Sequence, residues 1–212
     1  MTLDRQRIVE EAVALLDAEG LDGVTTRKLA ARLGVQSPTL YWHLPNKAAL
    51  VTALAEAILD QEFPELTPPG PEERWQDWLG GLAERLRRVM LAHPDGARVL
   101  SAAQLCRKLA ELSELAMSSL VGRGIPLRQA RVIVFTVERF TFGHVLEEQA
   151  PRPDAKALEG FDLAAFTEQY PTLVAGIAEY FEPGGDGTVD TLFRECLDVV
   201  IAGAVTTSGT AS

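Results

Sequence analysis

The sequence predicts an all-α protein, and three observations carry that expectation. Apolar residues recur at three- and four-residue intervals in segment after segment. No stretch shows the apolar–polar alternation of a half-buried strand. Gly20, Gly34, Pro45 and the proline-rich run at 63–73 fall between the periodic segments. With 212 residues, 47% of them apolar and 24% charged, the chain can bury a core and divide into a small and a larger unit.

Ile8, Val9, Ala12, Leu15 and Leu16 share one face of an amphipathic helix over roughly residues 4–18, stopped by Gly20. Thr25 is placed to cap a short second helix, "TRKLAARL", which ends at Gly34. Ser37 is the expected cap of a third helix, with Pro38 in its first turn, where a missing N–H is no loss. Pro45 limits that helix to about seven residues. Asn46 caps a fourth, beginning at Lys47, with Leu50, Leu54 and Ile58 on one face.

"FPELTPPGPEE" (63–73) reads as a bend or linker. Trp75, Trp78, Leu79, Leu82, Leu86, Val89 and Met90 mark a long helix closed by "HPDG" at 93–96. Leu105, Leu109, Leu112, Leu115 and Leu120 mark the next, closed near Gly124. Pro126 opens a helix through about Gln149, with Ile133, Val137, Phe140 and Val145 inward. A loop, "APRPDAKALEG", leads to one or two short helices near 161–181, split at Pro171. A turn, "PGGDG" at 183–187, precedes an apolar last helix, "TLFRECLDVVIAGAV", and the tail is expected to be disordered. The domain reading is 1–46, a connecting helix at 47–62, a larger helical unit at 63–206 and a tail at 207–212.

Several function classes find no support. No apolar run approaches the roughly 18 residues of a membrane span, and the charged start is unlike a signal peptide, so a cytoplasmic location is expected. Cys106 and Cys196 lack paired spacing for zinc or a disulfide framework and read as small buried hydrophobes. His144, Glu147 and Glu148 fall on one helical face, but no partner constellation accompanies them. No enzyme, metal site or cofactor is expected.

The net charge of −10 argues against a nucleic-acid partner until its distribution is considered. From Val24 to Leu50 there is no acidic residue, while Arg27, Lys28, Arg32 and Lys47 all fall there. The rest of the chain holds 16 bases against 30 acids, a net of −14. A basic, acid-free window in an acidic protein is the local footprint of a phosphate-binding surface. Two short helices joined by "GVQ" inside that window read as a helix-turn-helix, whose second helix enters the DNA major groove. "TLYWHLPNK" then places Leu40 inward and Tyr41 and His43 outward, with Trp42 against a sugar-phosphate strand. Thr39 offers a hydroxyl to phosphate and a methyl group to thymine. Lys47 adds its charge to the N-terminal amides of the fourth helix as a phosphate clamp.

At these residues the chain resembles a known family. "GLDGVTTRKLAARLGVQSPTLYWHLPNKAALVTALAEAIL" is similar to the DNA-binding domain of the tetracycline repressor (TetR) family, and of the tetracycline repressors in particular. The likeness continues through "WQDWL", "HPDGARV" and "FTFGHVLEEQ". It implies a homodimeric repressor whose helix-turn-helix reads a palindromic operator in double-stranded DNA, and whose larger domain binds a small molecule that releases the DNA. The DNA-contacting set it implies is Thr26, Arg27, Gln36, Ser37, Pro38, Thr39, Tyr41, Trp42, His43 and Lys47. Ser37 departs from the family's glutamine; a short hydroxyl makes no two-bond contact to adenine, so a different operator is expected.

The effector pocket implied by the resemblance comprises Phe63, Leu82, Leu86, Leu100, Gln104, Ala116, Val134 and Glu147. Tetracycline repressors hold a magnesium–drug complex with histidines at the positions of Phe63 and Leu100, and with polar or basic residues at those of Leu82, Ala116 and Gln104. Of the metal's surroundings only Glu147 persists, and one carboxylate does not replace an imidazole with oriented waters. The expected effector is therefore a hydrophobic or amphipathic molecule other than magnesium–tetracycline. The long helix at 127–149 and the last at 188–205 are expected to form a two-fold dimer. A competing reading is an all-α ligand-binding or redox-sensing protein without operator function; such a protein has no use for the basic window.

Overall fold

The computed structural model describes residues 3–151, 156, 159–181 and 188–206. Among them eleven helices and no strand are found: α1 (Arg5–Gly23), α2 (Thr26–Leu33), α3 (Ser37–Tyr41), α4 (Lys47–Glu62), α5 (Trp75–Leu91), α6 (Gly96–Ala102), α7 (Arg107–Gly122), α8 (Leu127–Glu148), α9 (Leu163–Gln169), α10 (Pro171–Phe181) and α11 (Val189–Thr206). The expected turn at 183–187, the tail and part of the 150–160 loop lie outside the described residues.

The first four helices start largely as their capping residues dictate. Asp4 accepts from the Arg7 N–H at 2.8 Å, Thr25 from Lys28 at 3.2 Å and Asn46 from Ala49 at 2.8 Å. Ser37 does not cap α3. Thr39 N–H donates to the Gln36 carbonyl at 2.9 Å, so the turn closes one residue earlier, with Gln36 extended and Ser37 already helical. α3 is also shorter than expected, ending at Tyr41, although Leu44 N–H still reaches the Leu40 carbonyl at 2.9 Å.

The helix expected to stop at Gly20 continues to Gly23 across a break. Gly20 has φ 69°, and a Cβ there would lie 2.8 Å from the Asp95 carboxylate. Both conditions favour glycine. The break frees the Leu21 N–H to donate to Asp95 at 2.9 Å.

α6 is absent from the sequence reading, which let "HPDG" close one helix and began the next near Leu105. Gly96 instead opens α6, whose Val99 and Leu100 are buried against α4 and α8. A Cβ at Gly96 would sit 2.1 Å from the Met90 carbonyl, so only glycine permits this close return of the chain. Leu105 is fully exposed at φ 53° and belongs to no helix. Thr52 fixes that link, accepting from Gln104 N–H at 3.1 Å and donating to its carbonyl at 3.0 Å.

Two apolar clusters form the core. The first runs from Ile8, Leu15 and Leu16 through Leu29, Leu40 and Leu54 to Phe63, Met90 and Leu100, so the N-terminal helices share a core with α4–α6. The second joins α5, α7, α8 and α11 through Leu79, Leu120, Ile133, Val137, Phe193 and Leu197. α9 and α10 pack on each other, and the Phe166 ring of α9 lies 5.2 Å from Phe161 and 4.9 Å from Tyr170, which flank that helix.

Candidate functional site

The ten residues of the expected DNA surface all lie on or beside α2, α3 and the start of α4, and none is buried. Arg27, Gln36, Pro38, Thr39, Tyr41, Trp42 and Lys47 are exposed; Thr26, Ser37 and His43 are half-buried. Leu40 anchors α3 from below, fully enclosed. Trp42 is 90% exposed, so its indole contributes almost nothing to the core of this chain.

The four bases of the window divide into two pairs. Lys28 and Arg32 are bound to carboxylates of α1: Lys28 to Glu19, and Arg32 to Glu11 at 3.2 Å and Glu19 at 3.8 Å. The Lys28 hydrogen bond, aided by both positive charges, holds the Glu19 carboxyl below its ordinary range. These two bases fasten α2 to α1. Arg27 and Lys47 take part in no ion pair among the described residues. Two unneutralised cations, helix amides at Lys47 and exposed rings on α3 make a surface suited to a phosphate backbone.

The second candidate site is a cavity at the seam between the two apolar clusters. Leu79, Leu82, Ala83 and Leu86 line it from α5. α7 contributes Leu109, Leu112, Ser113 and Ala116. Val134, Val137, Glu138 and Thr141 face it from α8, and Phe63 closes the end beneath α4. It encloses only about 40 Å³, small beside the roughly 300–1,000 Å³ of typical ligand clefts. A ligand of drug size therefore requires α5, α7 and α8 to separate.

Of the expected pocket residues, Phe63, Leu82, Leu86, Ala116 and Val134 meet in this cavity. The other three lie elsewhere. Leu100 is buried in the core contributed by α6, Gln104 is exposed beside Thr52, and Glu147 faces solvent from α8. His144 and Glu148 turn from Glu147 toward Arg87 and Asp190. Arg87 forks onto Glu148 at 2.8 and 2.9 Å and reaches Asp190 at 2.7 Å. Among the described residues no cluster of His, Cys, Asp and Glu could hold a metal ion.

Three polar lining residues were not foreseen: Ser113, Glu138 and Thr141. The signal for the α8 pair was present, because Val134, Val137, Glu138 and Thr141 follow the i, i+3, i+4, i+7 spacing of one face. Thr141 spends its hydroxyl on the Val137 carbonyl at 2.8 Å. Among the described residues Glu138 has one weak hydrogen bond, from the Ser113 hydroxyl at 3.4 Å, and burial pushes its carboxyl above the ordinary range.

Phe63 ties the cavity to the DNA-facing surface. It follows α4, whose first residue is Lys47. The Arg85 guanidinium lies 4.4 Å over the Phe63 ring and donates to the Glu62 carbonyl at 2.6 Å. Lys108, on α7, donates to the Phe63 carbonyl at 3.2 Å and pairs with Asp60 at 2.9 Å and Glu111 at 3.3 Å. A second junction pins the end of α1: His93 Nδ1 lies 2.7 Å from Asp17, and Arg98 bridges Asp95 at 2.9 Å and Asp22 at 3.1 Å. Gln149 fastens the end of α8 to the same turn, donating to the Met90 and His93 carbonyls at 3.0 and 2.9 Å.

Residues 8–54 match the family model of bacterial regulatory proteins, tetR family, and residues 67–207 match that of the tetracyclin repressor-like C-terminal domain. The chain is 34% identical over 201 residues to the tetracycline repressor protein class C of Escherichia coli, covering 95% of this chain and 90% of the relative. Its fold matches the Streptomyces coelicolor TetR-family protein ActR in complex with (S)-DNPA, with a TM-score of 0.80 and 28% identity over 99% of this chain and 100% of that one. It also matches the Q116A variant of TetR from Acinetobacter baumannii AYE, solved in complex with minocycline, at TM-score 0.73 and 30% identity, covering 99% and 100%.

Proposed function

Because this chain belongs to the tetR family of bacterial regulatory proteins and carries a tetracycline-repressor-like C-terminal domain, we propose that it represses transcription as a homodimer bound to a palindromic operator and is released by a hydrophobic or amphipathic effector. One observation carries the reading: a single helix, α4, begins at Lys47, which has no ion pair among the described residues, and is followed directly by Phe63 in the wall of an apolar cavity. Opening the cavity displaces Phe63, and Arg85 and Lys108 grip the backbone on either side of it. A tilt of α4 changes the separation of two recognition helices, which must match about 34–36 Å, one turn of DNA.

The effector acts only through its preference for one state; moving the balance from 1:99 to 99:1 takes about 5.5 kcal/mol. The two solved relatives hold minocycline and (S)-DNPA respectively, so one fold admits different ligands. Here Phe63, Leu82 and Ala116 present hydrocarbon to the cavity, which supports an effector other than magnesium–tetracycline. Dimerisation is supported by apolar residues left in solvent on α8 and α11: Val132 is 55% exposed and Val199 73%. Titrating tetracycline with magnesium into the protein–DNA complex, followed by anisotropy of labelled DNA, tests the effector reading. No release is expected at micromolar drug; release there overturns it.

A further inference from the structure

We propose that the effector is a cation: an amphipathic amine or comparable lipophilic cation whose charge lies against Glu138 while its hydrocarbon fills the cavity between α5, α7 and α8. This rests on the cavity being the effector site. Among the described residues that line it, Glu138 is the only one with a charged side chain. From α5 come leucines and an alanine; from α7, Ser113 is the sole polar group; Phe63 adds a ring. Thr141 is already committed to the Val137 carbonyl. The nearby cation on its own helix, Arg139, is exposed and lies over the Phe135 ring at 5.4 Å.

A carboxyl held in apolar surroundings with one weak donor is a poorly satisfied acceptor. Its ordinary range is exceeded because the charged form is desolvated. A ligand that brings a positive charge restores what burial removed, so part of its binding energy comes from a group already in place. An anionic ligand meets the opposite situation, with no cation among the described lining residues to receive it.

The test is calorimetric titration of the full chain with three compounds sharing one skeleton: 4-phenylbutylammonium, 4-phenylbutan-1-ol and 4-phenylbutanoate. The ammonium should bind about tenfold more tightly than the alcohol, and the carboxylate weakest. In Glu138→Gln the ratio of ammonium to alcohol affinity should fall to about one. A general attraction of an acidic chain for cations survives that substitution, so an undiminished ratio overturns the proposal. Ala116→Leu, which occupies cavity space, should weaken all three. Equal affinities that Ala116→Leu reduces overturn the cation assignment and leave the effector cavity standing. Binding that is indifferent to Ala116→Leu, or no binding by any of the three, overturns both.

Discussion

Arg27 and Lys47 carry the same charge but occupy different positions, which predicts different effects of removing each. Lys47 sits at the first turn of α4, where the helix amides point outward, a geometry that holds phosphate irrespective of sequence. Arg27 is exposed in the first turn of α2, and its planar fork suits a base edge. Lys47→Ala should weaken binding to all sequences and lower the salt slope by roughly one phosphate, while Arg27→Ala should cost about 1–3 kcal/mol and relax one base position. Identical sequence profiles for the two variants, measured by anisotropy on a panel of DNA sites, contradict that division. The charge window was legible from sequence, but its halving was not. Glu11 and Glu19 come from another helix, and spacing along the chain does not reveal that Lys28 and Arg32 reach them. Glu138 went unassigned for a related reason: the apolar residues it faces come from α5 and α7, which spacing along α8 does not reveal.

Glu138 also has a consequence for stability. A carboxyl whose folded pKa lies above its unfolded value binds the proton more strongly in the folded state. Stability is therefore lost as pH rises from the unfolded to the folded pKa, and the loss is complete above the latter. Glu138→Gln removes that penalty. Its melting temperature relative to the parent should be higher at pH 8 than at pH 4; a difference independent of pH contradicts the placement of this carboxyl.

At the scale of elements, helices with a strong cap and a clear apolar stripe were readable, and those created by tertiary contact were not. α2 and α4 start where Thr25 and Asn46 dictate. α6 has seven residues and no side-chain cap bond at Asp95, which is left-handed at φ 59° and whose carboxylate instead accepts from the Leu21 N–H. That helix depends on contacts distant in sequence, and the "HPDG" motif read by itself suggests only a turn. The register of the following link shows the same limit: Leu105 continues a leucine periodicity yet faces solvent entirely. Gly96→Ala tests the junction, because the added carbon meets the Met90 backbone at 2.1 Å and neither side can yield cheaply. It should destabilise the protein by about 2–3 kcal/mol and lower its melting temperature by roughly 5 °C or more. An unchanged melting temperature contradicts the close approach of α5 and α6.

For the whole molecule, the all-α class followed from periodicity and punctuation, whereas the shape of the cavity did not. Five of its residues were reached through the family resemblance, and the remaining lining required α5, α7 and α8 to be seen together. The continuity of the first apolar cluster from α1 to α6 matters for function, since a packed interior transmits displacement where a flexible linker does not. The chain outside the basic window carries a net charge of −14, which disfavours approach of DNA by surfaces other than the window. The central claim is that this face reads operator DNA as a symmetric pair. Selection of bound sequences from random double-stranded DNA by the full chain tests it most directly. The expected result is one enriched palindrome with half-sites about 10 base pairs apart, centre to centre, or a multiple of that spacing. Recovery of no enriched sequence, or of a motif lacking two-fold symmetry, would contradict the account.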